Sequence, residues 1–419
     1  MTKSEQPKLA FVYSGLNTED PPLLLSEAAE GVAALLWVLR DASDIPRAVL
    51  RMLRGLGEVV DVTGLSTDEA AAALREYSAS GIICFNDDNL VWAAELAQTL
   101  SLRFFSPESA VRLTDKLAQR TALREHGLPT PAFWDADELA DPVAAKVAAQ
   151  SAGFPLVLKP RQGHASQDVE ALQTLEDLTA ALANVTPGRM LVEGFIPDPT
   201  VAPAHPGSAA YVSVELIASN GEYSVLGVTG RPPLAPPFRE TGVIFPADIS
   251  PDLRSDVVEA ALAGGRSLGV KTGPLHVEVK LTDDGPVIIE VNGVMGGGAI
   301  RDIMQHALGV DVVQLSMRLA AGEHIVFAEP PRPEHVGFLF EIQPDADARR
   351  IVAVEGLDSV SEIPGVERVF PGLRAGDECS WRAGTPGFIA GILGRAADHD
   401  AANRIREEFN ERVVVTTTR

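Results

Sequence analysis

Residues 273–298 constrain the fold of this 419-residue chain more than any other stretch. His276, Glu278 and Lys280 alternate there with apolar residues. This alternation is typical of a β-strand with one polar and one apolar face. The turn residues 283–285, Asp-Asp-Gly, come next, and a second apolar-rich segment follows them. The pattern therefore predicts an antiparallel hairpin.

The position of the turn sets which residues of the hairpin face each other. A turn centred on Asp284 predicts three pairs on the polar face: Lys280 with Ile288, Glu278 with Glu290, and His276 with Asn292. Residues directly opposite each other on one face have Cβ atoms about 5 Å apart. The register therefore predicts two carboxylates side by side, with an amide oxygen one step further along the same face.

Two like charges in these positions repel each other. A divalent cation such as Mg²⁺, which binds carboxylate and amide oxygens, would offset the repulsion. The alternative is an exposed hairpin whose charges point into water. Gly296, Gly297 and Gly298 follow soon after Asn292 and favour the metal site, because glycines let the backbone approach a ligand closely.

Composition restricts the classes of function. The chain has 58 Asp and Glu against 35 Lys and Arg, a formal net charge of −23, which argues against a nucleic-acid partner. Cys84 and Cys379 have no metal-binding spacing. No secretory signal is visible, and the longest apolar run, residues 31–39, is well short of the ~20 residues that span a bilayer. We expect a cytoplasmic protein with no membrane partner.

Short apolar strands alternate with helical segments over the first hundred residues, which predicts a parallel α/β sheet. Asn86, Asp87 and Asp88 follow one of these strands, where such folds often place ligand-binding groups, although a helix cap explains them about as well. Residues 106–127 form a helical segment with Lys116 in its middle.

A second lysine has a more informative setting. Lys159 closes an apolar strand and precedes a loop that contains Gly163 and Ser166. A lysine beside a small-residue loop is able to hold a phosphate by its charge and by backbone N–H groups. With one glycine, the loop alone is a weak indication.

Five motifs in this order resemble those of the ATP-grasp carboxylate–amine ligases. They are TDKLAQRTALREHGLPTP, FPLVLKP with its loop, MLVEGFIP, YVSVELIASNGEYSVLGVTGR, and GPLHVEVKL…VIIEVNGVMGGG. The resemblance covers about residues 8–320. The C-terminal part is similar to that of the L-amino acid ligase branch, the enzymes that make dipeptides.

The resemblance implies a role for each motif. The residues that would bind the nucleotide are Lys116, Lys159, Gly163, Ser166, Glu193 and Phe195. Glu278, Glu290 and Asn292 would bind two Mg²⁺ ions, and Mn²⁺ is an alternative metal. Gly296, Gly297 and Gly298 would bind the substrate. Glu240 and His276 are candidates for substrate contact. A structural role for His276 is about equally plausible.

One position departs from the family. An arginine that steadies the substrate usually stands two residues after the metal-binding asparagine, but this chain has Val294 there. Arg231, Arg239 and Arg301 are the alternatives, and the sequence does not choose among them. Arg231, His276 and Arg301 are the candidate catalytic residues.

The implied reaction has two steps: a carboxylate attacks the γ-phosphate of ATP to give an acyl phosphate and ADP, and an amine then displaces phosphate. The leading expectation is a peptide bond between small amino acids, so the partners are a small carboxylic acid and an amine. Alternatives are amide formation on a natural-product intermediate, an inactive nucleotide-binding regulator and, least favoured, a carboxylase. Dimers are common in the family, so a homodimer is a further expectation.

The expected fold class is mixed α/β and α+β, in an ATP-grasp architecture with four segments. They are an N-terminal parallel α/β domain at 1–110, a lid subdomain at 111–195, a catalytic grasp subdomain at 196–329 and a small α+β extension at 330–419.

Overall fold

The structure is a computed structural model that describes residues 6–15, 21–43, 45–201, 207–297 and 299–419. Within these ranges, none of the helices has the length and apolar character needed to cross a membrane.

A parallel four-stranded sheet begins the chain, as the alternation of strands and helices predicts. Its strands are β1 (Lys8–Val12), β2 (Ala34–Leu39), β3 (Glu58–Asp61) and β4 (Gly81–Cys84), in the order β3-β2-β1-β4. The connecting helices are α1 (Pro22–Ala29), α2 (Arg47–Leu56), α3 (Thr67–Arg75) and α4 (Asp87–Leu100). Phe11 and Trp37 on neighbouring strands are fully buried, since helices cover the sheet. The carboxyl end of β4 leads directly into α4, which places Asp87 at the start of that helix.

The helical segment expected over 106–127 is wrong as a single helix. It forms α5 (Pro107–Thr114) and α6 (Lys116–Glu125), separated at Asp115. The extended backbone of Asp115 interrupts the helix, and its carboxylate accepts the first free N–H groups of α6, from Leu117 and Ala118. Lys116 is therefore the first residue of α6 and not a mid-helix residue.

A small antiparallel sheet follows and has a core of its own. Its strands are β5 (Phe133–Asp135), β6 (Leu156–Pro160), β7 (Glu170–Leu172) and β8 (Met190–Gly194), in the order β5-β8-β6-β7. Its helices are α7 (Pro142–Ala152) and α8 (Leu175–Leu182). Leu156 and Leu158 are buried there against alanines of α7. Lys159 lies on β6 and Glu193 lies on β8, and these two central strands pair with each other.

An eight-stranded antiparallel sheet forms most of the rest of the molecule. In chain order, its strands are β9 (Tyr211–Ser219), β10 (Glu222–Gly230), β11 (Gly242–Phe245), β12 (Gly273–Thr282), β13 (Gly285–Asn292), β14 (Val336–Ile342), β16 (Val366–Pro371) and β17 (Ala390–Ala396). Two further strands, β15 (Arg350–Glu355) and β18 (Val414–Thr418), pair with each other. The helices of this part are α9 (Pro251–Ser267), α10 (Ile300–Leu308), α11 (Val312–Ala320) and α12 (His399–Arg412).

The order of the large sheet is β13-β12-β9-β10-β11-β14-β17-β16. Strands from 336–396 therefore extend the sheet of the preceding segment, and the pairing of β11 with β14 makes the connection. The expected boundary at 329/330 falls between strands of one sheet. The four-segment division of the chain stays a prediction.

The two faces of this sheet differ in character. On one face, Val277 and Val291 pack against Val257 and Ala261 of α9. The opposite face carries the polar alternates of the hairpin, His276 and Glu278 among them. Further along, α10 and α11 cover apolar residues of that same face. The polar part of this second face is the candidate site.

Candidate active site

At the end away from the turn, the hairpin of β12 and β13 has the register that the turn position predicts. Glu278 pairs with Glu290, and His276 pairs with Asn292, so both of these predictions are confirmed. The third pair is wrong, because a β-bulge between Glu278 and Val279 shifts the register and Lys280 pairs with Val287 instead of Ile288. The bulge lies on the turn side of the two carboxylates and leaves them directly opposite each other.

Each carboxylate of this pair has a cation of the protein beside it. Lys116 Nζ lies 2.9 Å from Glu290 Oε1, and His276 Nε2 lies 3.6 Å from Glu278 Oε1. Lys116 also donates a hydrogen bond of 2.7 Å to the Gly163 carbonyl. The first residue of α6 therefore connects the hairpin to the small-residue loop that follows Lys159.

A third carboxylate approaches the same corner from the N-terminal sheet. Asp87 Oδ1 is buried and has no hydrogen-bond partner. Burial, and next the charge of Glu290, raise the pKa of Asp87 to about 6. The sequence signal for Asp87 is its position directly after a strand. Only the fold shows that Glu290, from a distant part of the chain, lies beside it.

The oxygen-rich corner fits a hard divalent cation. In the part of the chain that the structure describes, no three His, Cys, Asp or Glu side chains form a ready-made metal cluster. Glu278, Glu290 and Asn292 would supply two carboxylates and one amide, which is the small protein donor set that Mg²⁺ takes when phosphates complete its coordination. The orphaned oxygen of Asp87 adds to the negative charge that a cation would compensate.

Lys159 and Glu193 belong to a buried ion-pair cluster. Lys159 Nζ lies 2.6 Å from Glu193 Oε1, and Arg120 Nε lies 2.9 Å from Glu193 Oε2. Burial by itself raises the pKa of a carboxyl, but Arg120 and Lys159 together lower the pKa of Glu193 to about 2. Arg120 stands within a quoted motif but was not singled out from sequence. Two cations hold Glu193 in place, and its expected contact with the nucleotide stays a prediction.

Arg120 also ties this cluster to the hairpin. Its Nη1 donates a hydrogen bond of 2.8 Å to the Ile288 carbonyl, while Gln119 exchanges two hydrogen bonds of 2.8 Å with the backbone of Val291. Helix α6 therefore fixes β13 relative to the small sheet.

The loop that follows Lys159 is seated on other parts of the chain. Ser166 Oγ donates to the Phe238 carbonyl at 2.9 Å, and the Ala165 carbonyl accepts from the Thr385 N–H at 2.9 Å. A side chain at Gly384 would place its Cβ 2.2 Å from the Ala165 carbonyl oxygen, so this close approach requires glycine. The loop is thus positioned against residues 380–387, within the C-terminal extension.

A hydrogen-bonded network runs across the polar face next to the metal corner. Arg231 Nε donates to Glu240 Oε1 at 2.7 Å, and Arg231 Nη2 donates to Ser213 Oγ at 3.2 Å. Ser213 Oγ in turn donates to Glu215 Oε1 at 3.0 Å, and the His276 Nδ1 lies 2.8 Å from that same oxygen. The predicted substrate residue Glu240 and the predicted catalytic residues Arg231 and His276 therefore belong to one connected set.

Electrostatics fix the charge states within this network. Burial alone lowers the pKa of an imidazole, but Glu215 and Glu278 raise the pKa of His276 to about 10. The two carboxylates therefore favour the protonated form of His276. Neighbouring carboxylates, chiefly that of Glu240, raise the pKa of Arg231 although it is buried.

Tyr211 lies between the two ends of the network. The charge of Glu278 acts on its hydroxyl, and the guanidinium of Arg231 lies 5.1 Å from the centre of its ring. Burial, followed by the charges of Glu278 and Glu240, raises the pKa of Tyr211, so the phenol stays protonated. Tyr211 was not predicted from sequence as a site residue.

The other two arginine alternatives have different surroundings. Arg301 Nη2 lies 3.1 Å from Asp311 Oδ2, between α10 and α11. Arg239 is 1% exposed, and its Nη2 donates to the carbonyls of Pro236 and Pro344. Of the three, Arg231 is the one whose contacts lead to Glu278, by way of Tyr211. The catalytic roles of Arg231, His276 and Arg301 stay predictions.

The remaining predicted residues lie around this centre. A Cβ on Gly296 would be 2.7 Å from His276 Nδ1, so the backbone passes directly over the imidazole, whereas Gly297 faces open space. Gly298 lies outside the described residues. The Phe195 N–H donates to the Pro155 carbonyl at 3.3 Å, and the Phe195 ring centre lies 6.3 Å from that of Phe238.

Comparison with known proteins supports the fold. Residues 208–302 match the model of the ATP-grasp domain family. The uncharacterized protein y4rH of Sinorhizobium fredii (strain NBRC 101917 / NGR234) is 26% identical over 344 residues, which are 77% of this chain and 68% of y4rH. Human carnosine synthase 1 is 28% identical over 302 residues, 68% of this chain and 34% of the human protein. This chain thus aligns with about a third of the human protein.

A solved structure matches the whole architecture. The L-amino acid ligase from Bacillus licheniformis superposes with a TM-score of 0.77 at 22% sequence identity, covering 99% of this chain and 100% of that one. The likeness at this identity shows the fold. The expected α/β and α+β class and the ATP-grasp architecture are confirmed.

Proposed function

We propose, from its membership of the ATP-grasp superfamily, that this protein is an ATP-dependent ligase that joins the carboxylate of an amino acid to an amine. The observation that carries the proposal is the corner of Glu278 and Glu290, opposed on one hairpin, with Lys116 bridging Glu290 to the loop after Lys159. The names of two similar proteins, L-amino acid ligase and carnosine synthase 1, favour amino acids as the substrate class.

The reaction would proceed through an acyl phosphate. An oxygen of the substrate carboxylate attacks the γ-phosphorus of ATP, and ADP leaves. The amine nitrogen then attacks the acyl carbon, loses a proton and expels inorganic phosphate, which leaves an amide. The first step depends mainly on alignment and on neutralising the phosphate charge.

This chain's residues have distinct tasks in that scheme. Lys116 and Lys159 would contact the phosphates, and the Gly163–Ser166 loop would cover them. Glu278, Glu290 and Asn292 would hold Mg²⁺, which supplies charge neutralisation at the phosphates when bound.

The substrate carboxylate would lie where Arg231 is held. Because Val294 carries no charge, a cation from elsewhere has to oppose the substrate carboxylate and the tetrahedral intermediate. Arg231 is on the same sheet face as Glu278 and is anchored by Glu240. His276, protonated, would add positive charge beneath the backbone of Gly296.

The test is ADP and phosphate release with Mg-ATP across all pairwise mixtures of amino acids. The Glu290→Ala variant is the blank, and Glu355→Ala, an exposed position on β15, is the matched control. We expect release with particular pairs, together with a condensed product detected by mass. ATP binding without release above the blank, for every pair, would contradict the ligase and favour a nucleotide-binding regulator.

A further inference from the structure

Thr385 lies at the meeting point of three parts of the chain, and the proposed reaction gives it no task. It belongs to the C-terminal extension, outside the residues that match the ATP-grasp domain. Its N–H donates to the Ala165 carbonyl at 2.9 Å, and its Oγ1 accepts from the Glu240 N–H at 3.1 Å. Gln343 Nε2 donates to the carbonyls of Thr385 and Glu240, at 2.9 and 3.0 Å, and so fixes these two backbone segments relative to each other.

The first neighbour of Thr385 is the phosphate loop, residues 163–168, which has an unfavourable backbone conformation. Three of its residues that are not glycine have φ angles between 53° and 56°, in the left-handed region: Ala165, Ser166 and Asp168. Such a conformation persists where the surrounding structure imposes it, and here residues 380–387 do so. The Arg382 carbonyl accepts from the Asp168 N–H at 3.3 Å, and Thr385 binds the loop from the same segment. The loop therefore depends on the C-terminal extension for its shape.

The second neighbour of Thr385 is the segment 231–241, which carries the arginine proposed to oppose the substrate carboxylate. Arg231 is buried, and its Nε donates to Glu240 Oε1 at 2.7 Å. The Thr385 hydroxyl and the Gln343 amide both bind the backbone of Glu240. They therefore set the position from which the Glu240 carboxylate reaches Arg231.

The two neighbours also touch each other directly. Ser166 Oγ donates to the Phe238 carbonyl at 2.9 Å, which holds the phosphate loop against the segment 231–241. This contact binds Phe238 and leaves the Glu240 N–H to Thr385. Thr385 therefore connects the loop that would cover the phosphates to the residue that anchors the arginine.

We propose that Thr385 is a positioning residue that couples the phosphate loop to Glu240 and Arg231, so that binding of a nucleoside triphosphate tightens binding of the carboxylate substrate. The proposal rests on the ligase function above. Phosphates under the loop favour its seated conformation, which holds the Thr385 backbone and directs the hydroxyl to the Glu240 N–H. The coupling is reciprocal, so a bound carboxylate tightens binding of the nucleotide by the same factor.

The first test needs only the nucleotide. Amide hydrogen exchange is followed residue by residue in the whole protein, with and without saturating Mg²⁺ and adenosine 5′-(β,γ-imido)triphosphate, a non-hydrolysable ATP analogue. We expect the analogue to slow exchange of the Glu240 N–H at least about ten-fold in the wild type and in Thr416→Val, an exposed threonine control on β18. In Gly384→Ala, the added Cβ would lie 2.2 Å from the Ala165 carbonyl oxygen, so the loop cannot seat and the slowing should disappear. A Glu240 exchange rate that the analogue leaves unchanged in the wild type would overturn the coupling.

The second test separates coupling from a structural role of the hydroxyl. The acid is the amino acid, among the protein amino acids and β-alanine, that gives the most hydroxamate with Mg-ATP and hydroxylamine, which traps an acyl phosphate. Calorimetry then measures the affinity for this acid with and without the analogue. We expect the analogue to tighten acid binding at least about ten-fold in the wild type and less than about two-fold in Thr385→Val, which keeps the backbone N–H but lacks the hydroxyl. Thr385→Ser should restore the wild-type ratio, and each ligand alone should bind all three proteins equally.

The outcomes separate the coupling from the ligase. A loss of affinity for each ligand alone in Thr385→Val, with the ratio unchanged, would assign Thr385 a structural role and overturn the coupling. Hydroxamate formation, with equal affinity for the acid in the presence and absence of the analogue in the wild type, would contradict the coupling alone. No hydroxamate from any acid, with the analogue still bound, would contradict the ligase, and the exchange of the Glu240 N–H would then decide the coupling by itself.

Discussion

Two pairs of glutamates lie on one face of the large sheet, and they are balanced differently. Glu278 and Glu290 each have a cation beside them, His276 and Lys116. Of Glu240 and Glu341, only Glu240 pairs with Arg231. Each carboxylate of the first pair therefore has a protein cation beside it, whereas Glu341 of the second pair forms no ion pair among the described residues.

The difference separates two kinds of carboxylate pair. At the hairpin pair, the protein cations hold the carboxylates in place, and an arriving metal ion shares them with Lys116 and His276. At the second pair, the fold leaves the carboxyl of Glu341 without a paired cation among the described residues, which disfavours its ionised form. The first arrangement favours a fixed position for the phosphates.

Removing a carboxylate from the balanced pair should have the largest effect. We expect Glu290→Gln to lower ATP turnover by about 100-fold or more, because the carboxylate that would bind the metal and orient Lys116 is lost while the side-chain volume is kept. ADP release under saturating Mg-ATP measures the effect. Urea denaturation should show a folded protein.

The exposed control for this change is Glu355→Gln, which should keep wild-type turnover. Turnover within a few-fold of wild type in Glu290→Gln would remove the basis for placing the metal between β12 and β13. A loss of folding in Glu290→Gln would show that the pair is structural.

The two pairs also differ in how far sequence alone could predict them. Glu278 and Glu290 lie on consecutive strands, so strand alternation and one turn gave their pairing before the fold was known. The bulge after Glu278 was missed, because nothing in the alternation of polar and apolar residues marks an extra residue in β13.

The second pair depends on contacts between distant parts of the chain. Glu240 was singled out from the loop, but Glu341 follows it by a hundred residues and reaches it only through the pairing of β11 with β14. Tyr211 was missed as a site residue for the same reason, and Asp87 was noted only for its position after a strand, since each acquires its neighbours from another segment. Local patterns predict strands and caps, but they do not reveal which sheet edges meet.

Glu193 extends the comparison to a carboxylate with two cations. We expect Glu193→Gln to reduce the free energy of unfolding by about 3–5 kcal/mol at neutral pH, because Arg120 and Lys159 would then be buried without a counter-charge. The pKa of Glu193 is about 2, below its ordinary value of 4.5, so its contribution is present above pH 4.5 and is lost as the pH falls towards 2. Urea titrations of both proteins at several pH values should show the difference shrinking in acid; a constant difference would contradict the ion-pair assignment.

Glu341 should show the opposite pH dependence. Its pKa is about 8 in the folded protein, above the ordinary 4.5, so the folded state keeps a proton that the unfolded state releases. The wild type should therefore lose stability relative to Glu341→Gln as the pH rises from about 4.5 to about 8. Melting temperatures of the two proteins without ligand, measured from pH 5 to pH 8, test this. A parallel pH dependence would mean that Glu341 is already compensated and that the two pairs do not differ.

The smallest effect is expected where the C-terminal extension meets the phosphate loop. Arg382 pairs with Asp168 and Glu170, at 3.5 and 3.2 Å; Arg382 and Asp168 are exposed, and Glu170 is partly buried. Exposed ion pairs contribute about 0–1 kcal/mol and are screened by salt. We therefore expect Arg382→Ala to change the free energy of unfolding by less than about 1 kcal/mol, and the change to disappear at high salt.

The loop should stay seated in Arg382→Ala, because the contacts of Ala165 with Thr385 and Gly384 do not involve that side chain. The KM for ATP should accordingly remain within a few-fold of wild type. If the KM for ATP is much higher in Arg382→Ala than in the wild type at low salt, and the two values become equal at high salt, then charge holds the loop. The coupling between the two glutamate pairs that runs through the loop and Thr385 would then weaken as salt is added.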